Sequence, residues 1–178
     1  MELEKLPPLL ERDGWTELFG SATTSLDHLE LRDTYRVDTE SPAYLHWLEN
    51  RDKPRPPRQS YWQGLVSETV KRGVAVRRLR VVSMPPTDYI RFEHAGTWQT
   101  VEAGEDVRWL ARESAAHLLV PSNDFWLIDR ERIMFNLFDG DGRPNGRFLT
   151  EDIDLAKAVG GAFDSLWGLA TPHEDFAI

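Results

Sequence analysis

Ser122-Asn-Asp-Phe-Trp-Leu-Ile-Asp-Arg-Glu-Arg-Ile-Met-Phe-Asn-Leu-Phe138 decides the fold. Two apolar runs, Phe125–Ile128 and Ile133–Phe138, flank a charged corner at Asp129–Arg132. Both are rich in aromatic and β-branched residues, and turn residues bound them: Pro121-Ser-Asn before, Asp139-Gly-Asp-Gly after. Short apolar runs with those boundaries read as a buried strand pair, not as a helix. The remaining chain must supply the layers that cover this pair.

On the N-terminal side, Val74–Ser83 is a strand by its valine content, with Arg77, Arg78 and Arg80 on both parities. At least one of these arginines therefore has its stem on apolar surface and its head on a carboxylate. Asp106–Arg112 reads as the next strand, and a helix from Asp88 to Gly104 lies between them. Ser60-Tyr-Trp-Gln63 has capping-box form and opens a helix carrying Trp62, Leu65, Val66 and Val70 inward, with Gly73 as its left-handed stop.

Earlier still, Leu29–Val37 alternates, with Leu29, Leu31, Tyr35 and Val37 on one parity, and predicts a half-buried strand. Ser41-Pro42 starts a helix ending near Asn50, short helices are expected over 7–19, and Lys53-Pro-Arg-Pro-Pro-Arg58 is a surface connector. Beyond the strand pair, Asn145-Gly146 signals a tight turn. A last helix from Thr150 to Ala170 buries Ile153, Ala156, Phe163, Leu166 and Trp167, and its Gly160-Gly161 pair permits close packing against another backbone. This order predicts an α/β fold, a mixed sheet with helices on both faces. Residues 1–58 form an N-terminal extension contributing one strand and short helices to a core over 59–178, the whole making one compact domain.

A chain of 178 residues can bury a sizeable core without help, and seven Trp and eight Phe exclude a disordered one. The absence of cysteine removes disulfides, thiolate metal sites and cysteine nucleophiles together. A formal charge of −9 argues against direct binding of nucleic acid, whose affinity comes from neutralising phosphates. With no apolar leader at Met1–Lys5 and no run long enough to span a bilayer, a soluble, cytoplasmic protein is expected.

The five histidines are not spaced as metal ligands. Asp139-Gly-Asp-Gly142 opens like a calcium loop, but Arg143 and Thr150 stand where ligands belong, so it reads as a turn. Neither a phosphate-binding glycine loop nor G-x-S-x-G occurs, and no metal or cofactor is expected.

Ser122-Asn-Asp-Phe-Trp-Leu-Ile-Asp129 resembles the signature segment of the phospholipase D superfamily, H-x-K-x-x-x-x-D, with Ser122 in the histidine place, Asp124 in the lysine place and Asp129 retained. In that family the histidine attacks phosphorus and the lysine stabilises developing negative charge. A serine without an adjacent base and an aspartate facing a phosphodiester imply a non-catalytic relative.

A second resemblance covers almost the whole chain. Tyr61-Trp62, Arg72-Gly73-Val74, Leu79–Ser83, Thr87–Glu93, Ala103–Leu110 and Asp124–Asp129 are similar to an uncharacterised actinobacterial family, domain of unknown function 6879. Its members are commonly encoded beside helix-turn-helix regulators, which implies a DNA-binding regulator as protein partner.

The leading expectation is a non-catalytic binding domain for such a regulator, with a small ligand as a further prospect. Its cleft would lie near the carboxyl ends of the strands, lined by some of Arg91, Glu93, Arg108, Trp109, Arg112, Asp124 and Trp126. The bland alternative makes these ion pairs and core. An unorthodox hydrolase or transferase using Asp124 or Asp129, and a homodimeric scaffold, are the other readings.

Overall fold

The computed structural model describes residues 2–36, 41–51 and 60–178. Val37 and the connector Lys53–Arg58 lie outside them. In chain order the elements are β1 (Glu4–Leu6), α1 (Arg12–Ser21), β2 (Ser25–Glu30), α2 (Ser41–Asn50), α3 (Tyr61–Lys71), β3 (Ala75–Val82), α4 (Asp88–Gly96), α5 (Trp98–Glu102), β4 (Asp106–Ala111), β5 (Asp124–Ile128), β6 (Arg132–Phe138), β7 (Pro144–Thr150), α6 (Ile153–Trp167) and β8 (Thr171–Pro172). The eight strands form one mixed sheet in the order β1-β7-β6-β5-β2-β3-β4-β8. Helical crossovers leave β2, β3 and β4 parallel, while tight connections make β5, β6 and β7 antiparallel. The two apolar runs of 122–138 form the β5–β6 pair, with Phe125 opposite Phe135 and Leu127 opposite Ile133.

Strand alternation gives the sheet two buried faces. On one, Leu29, Leu79, Val81, Phe125, Leu127 and Ile133 pack beneath Ala156, Val159, Phe163 and Leu166 of α6. On the other, two apolar clusters sit side by side. The first packs Phe19 of α1 and Val66 of α3 onto Leu26, Trp126 and Met134. The second packs Trp47 of α2 with Tyr89, Ile90 and Phe92 of α4 onto Val82, Val107 and Trp109. Helices thus cover both faces of a mixed sheet.

Local chemistry explains the boundaries. Ser60 Oγ accepts the Gln63 N–H at 3.1 Å, and Gly73 takes φ +87 at the far end of the helix. Replacing Ser60 by Ala should cost about 1 kcal/mol, read as a shift in the urea midpoint at unchanged slope. Thr87 and Asp152 cap α4 and α6 in the same way.

Five expectations need correction. The N-terminal extension contributes two strands and not one, because Glu4–Leu6 adds β1 to the sheet by pairing with Arg147–Leu149 of β7. The strand predicted over Leu29–Val37 ends at Glu30, because Leu31 N–H and the Tyr35 hydroxyl both turn aside to the Asp124 carboxyl. Asn145-Gly146 lies inside β7; the turn is at Asp139–Gly142, where Asp139 Oδ1 accepts the N–H groups of Asp141 and Arg143. Ile153 is 46% exposed at the first turn of α6, where the helix has not yet reached the sheet. Gly160 admits side chains, not backbone: a Cβ there would lie 2.9 Å from Arg130 Nη1 and 3.3 Å from Leu127 Cδ2, while Gly161 faces open space.

Candidate functional site

Between the two apolar clusters a polar band crosses the sheet. Arg78 and Arg80 of β3 share Glu30 of β2, at 2.7 and 2.5 Å, and reach Glu105 and Glu93 at 2.9 and 2.5 Å. Burial alone would raise the Glu30 pKa; the guanidinia of Arg80 and Arg78 outweigh it and hold the carboxyl at about 2. His28 stacks on Trp126, ring centroids 4.0 Å apart, and burial lowers its pKa to about 3, so it is neutral at physiological pH. Farther along, Arg147 of β7 donates to Asn136 Oδ1 on β6 at 3.0 Å and to the carbonyls of Pro7 and Pro8.

Where this band meets the end of the sheet a cleft of about 340 Å³ opens, beyond the carboxyl ends of β2 and β4 and the amino end of β5. Leu31, Val120, Pro121 and Phe138 form its apolar walls; Arg32, Arg112, Ser122, Asn123, Asp124 and Asn136 supply the polar groups. Neither histidine nor lysine is among the described residues lining it. Asp124 is 3% exposed and accepts the Tyr35 hydroxyl at 2.5 Å and the Leu31 N–H at 3.0 Å. Burial raises its pKa to about 7, the Glu30 charge adding to the rise and the Tyr35 hydrogen bond opposing it.

That shift has a sign. The native state keeps a proton that the unfolded chain releases near its ordinary pKa of about 4, so the associated stability is complete in acid and is lost as pH rises through about 7. Asp124→Asn should therefore flatten the decline in stability between about pH 4 and pH 7, which urea titrations across that range would measure.

The motif positions separate in space. Ser122 is exposed, and its Oγ accepts from Asn123 Nδ2 at 3.1 Å. Asp129 sits five residues beyond Asp124, at the other end of β5, about 16 Å away by strand rise. There its carboxylate accepts the N–H groups of Thr23, Thr24 and Ser25 and the hydroxyls of Thr23 and Thr24, all at 2.7–3.0 Å. Burial works against ionisation, but these donors outweigh it and hold the pKa at about 2. Asp124 and Asp129 therefore cannot act as one carboxylate pair.

Of the seven expected cleft residues, the fold brings Arg112 and Asp124 to it. Arg112 is tied by Nη2 to the carbonyls of Leu31 and Val81 and by Nε to Ser83 Oγ. Trp109 and Trp126 are core, both essentially inaccessible. Glu93 belongs to the Arg80 pair, and Arg108 stacks over Trp167 on the opposite face, 4.5 Å from its ring. Arg91 lies on α4 near Asp88. Sequence reasoning missed Arg32, Tyr35 and Asn136. The available signal was Asn136 itself, an amide at an inward position in an apolar strand.

No group of three or more histidine or acidic residues suited to a metal occurs among the described residues. Nor is any helix among them long and apolar enough to cross a membrane.

Known structures share this architecture. Nuc from Salmonella typhimurium, a phospholipase D family member, aligns with a TM-score of 0.57 at 11% identity over 96% of this chain and 95% of its own. NucT from Helicobacter pylori aligns at 0.52 and 12% identity over 96% and 97%. TrmBL2, an archaeal chromatin protein, aligns at 0.52 and 12% over 96% of this chain and 55% of its own. At these identities the likeness is one of fold, and the fold is phospholipase D-like. No curated protein matches the sequence. A family model matches residues 13–178, and the chain accordingly belongs to the family described as domain of unknown function DUF6879.

Proposed function

We propose that this phospholipase D-like domain works by binding, through the cleft at Asp124, and serves a helix-turn-helix transcriptional regulator as its protein partner. One observation carries the binding reading. Where the superfamily signature has an attacking imidazole and a helper ammonium, this cleft has an exposed Ser122 hydroxyl and an Asp124 carboxyl already engaged by Tyr35. A carboxyl there repels phosphodiester charge when ionised and has no adjacent base to activate Ser122 when it is not.

The regulator as partner rests on the family resemblance and on the acidic balance of −9, which favours protein over direct phosphate contacts. TrmBL2, which shares the fold, is a chromatin protein that binds DNA; on the present reading the acidic balance of −9 supports a DNA contact made by the partner and not by this chain. Co-expression with a helix-turn-helix regulator, if one is encoded beside its gene, should give one complex on size exclusion, and separate elution of the two chains or a neighbourhood without such a regulator would end the partner assignment.

A carboxylate-dependent hydrolase or transferase is the second reading, favoured by Asp124 alone. A carboxyl poised near neutrality in a cleft suits general acid–base work. It requires turnover that disappears in Asp124→Asn.

A further inference from the structure

Guanidinium groups at the centre of this sheet are matched with carboxylates, and the cleft departs from that rule. Arg77, Arg78 and Arg80 of β3, and Arg130 in the turn after β5, each have a carboxylate oxygen within 2.7 Å. Arg32, on the cleft wall, has none at ion-pair distance among the described residues. Its Nη2 makes one long hydrogen bond to the Asp139 carbonyl at 3.3 Å, its guanidinium lies 5.6 Å from the centre of the Phe138 ring, and its Nε is buried with no acceptor.

Behind the wall, Arg147 is buried and also has no carboxylate at ion-pair distance among the described residues, and burial lowers its pKa to about 10. Because arginine only donates, its bond to Asn136 fixes the amide with Oδ1 toward Arg147, leaving the Asn136 NH₂ as a donor for the cleft. Arg112 adds positive charge at the rim, partly offset by Asp33 at 3.5 Å.

We propose that the cleft holds a small organic acid, its carboxylate received by Arg32 and the Asn136 amide and its carbon body lying against Phe138 and Val120. This rests on the reading of the cleft as a binding site. A planar carboxylate matches the guanidinium fork, and a cavity of about 340 Å³ is at the small end of the range for ligand pockets.

Asp124 sets the charge the ligand can carry. It is faced by Tyr35 and Arg32 from the loop after β2, by Glu30 on β2 and by Arg112 after β4. A monoanion beside it is accommodated by leaving Asp124 protonated. Above about pH 7 inorganic phosphate carries a second charge, which meets a single uncompensated guanidinium among the described residues of the wall. Anion binding and proton retention are therefore linked, and affinity falls as pH rises through about 7.

Calorimetric titration with benzoate, benzamide and inorganic phosphate tests this. Wild type should bind one benzoate, more tightly at about pH 6 than at about pH 8.5, and at least about tenfold more tightly than benzamide at about pH 6 and than phosphate at about pH 8.5, where phosphate is a dianion. Arg32→Gln should weaken benzoate about tenfold, and Asp124→Asn should remove the pH dependence. The wild-type comparisons need no variant to fold. No saturable benzoate binding, phosphate binding as tight as benzoate at about pH 8.5, or full affinity in Arg32→Gln would overturn the assignment. Benzoate failing while phosphodiesters stay uncut ends this inference alone; phosphodiester turnover that vanishes in Asp124→Asn ends the reading beneath it.

Discussion

Arg80→Met should destabilise the protein by about 3–5 kcal/mol, the range for breaking a buried ion pair by removing one partner. Arg80 is 5% exposed, bridges Glu30 and Glu93 at 2.5 Å each, and lies over the Trp109 ring at 5.0 Å. Methionine keeps much of the stem and removes the charge, so Glu30 is left with Arg78 alone and Glu93 loses the guanidinium that holds it. Burial opposes ionisation of Arg80, but Glu30 and Glu93 more than compensate and raise its pKa.

A pH signature separates this loss from simple repacking. In wild type the Glu30 carboxyl titrates at about 2, below its unfolded value of about 4.3, so its contribution is present above that value and is lost as pH falls toward about 2. Without Arg80 the carboxyl protonates more readily. The gap between variant and wild type should then narrow below about pH 4 in urea titrations. A gap independent of pH would assign the cost to packing.

Asp129→Ala should cost about 2–3 kcal/mol, since a carboxylate accepting several hydrogen bonds is lost at a partly exposed corner. The β5–β6 turn places Asp129 at φ +53 and Arg130 at φ +63, a left-handed pair without glycine. Asp tolerates that region better than Ala, and its carboxylate binds the turn to the Thr23–Ser25 segment entering β2. Asp129→Asn keeps the tolerance and one acceptor oxygen, so about half the loss should return. Equal losses for the two variants would mean that charge, not turn geometry, holds the corner.

The central hairpin was legible because β5 and β6 state their burial residue by residue: every position of Asp124–Ile128 is buried, and turn residues bound both strands. The arginines of β3 were legible for a related reason, since three guanidinia in a valine-rich strand oblige carboxylates to come to them. Their partners were not. Glu30 and Glu105 are 50 and 27 residues from the arginines they bind, and nothing local marks either as a partner.

Leu31 and Tyr35 misled because their alternation imitates a strand, whereas they are inward positions of a loop wrapped around Asp124. β1 and β8, at three and two residues, are too short to display any period. Of the site, Ser122 and Asp124 could be placed through the signature, and Arg112 through its position after a strand. Arg32 could not, and Asn136 showed only as an inward amide, because the pairing of β5 with β2 and β6 is what brings them to Asp124.

The most direct measurement is hydrolysis of bis-p-nitrophenyl phosphate and of single- and double-stranded oligonucleotides by purified wild type, Ser122→Ala and Asp124→Asn. A domain that holds and does not cut gives all three the same rate as buffer. Wild-type hydrolysis that either substitution abolishes would contradict the account.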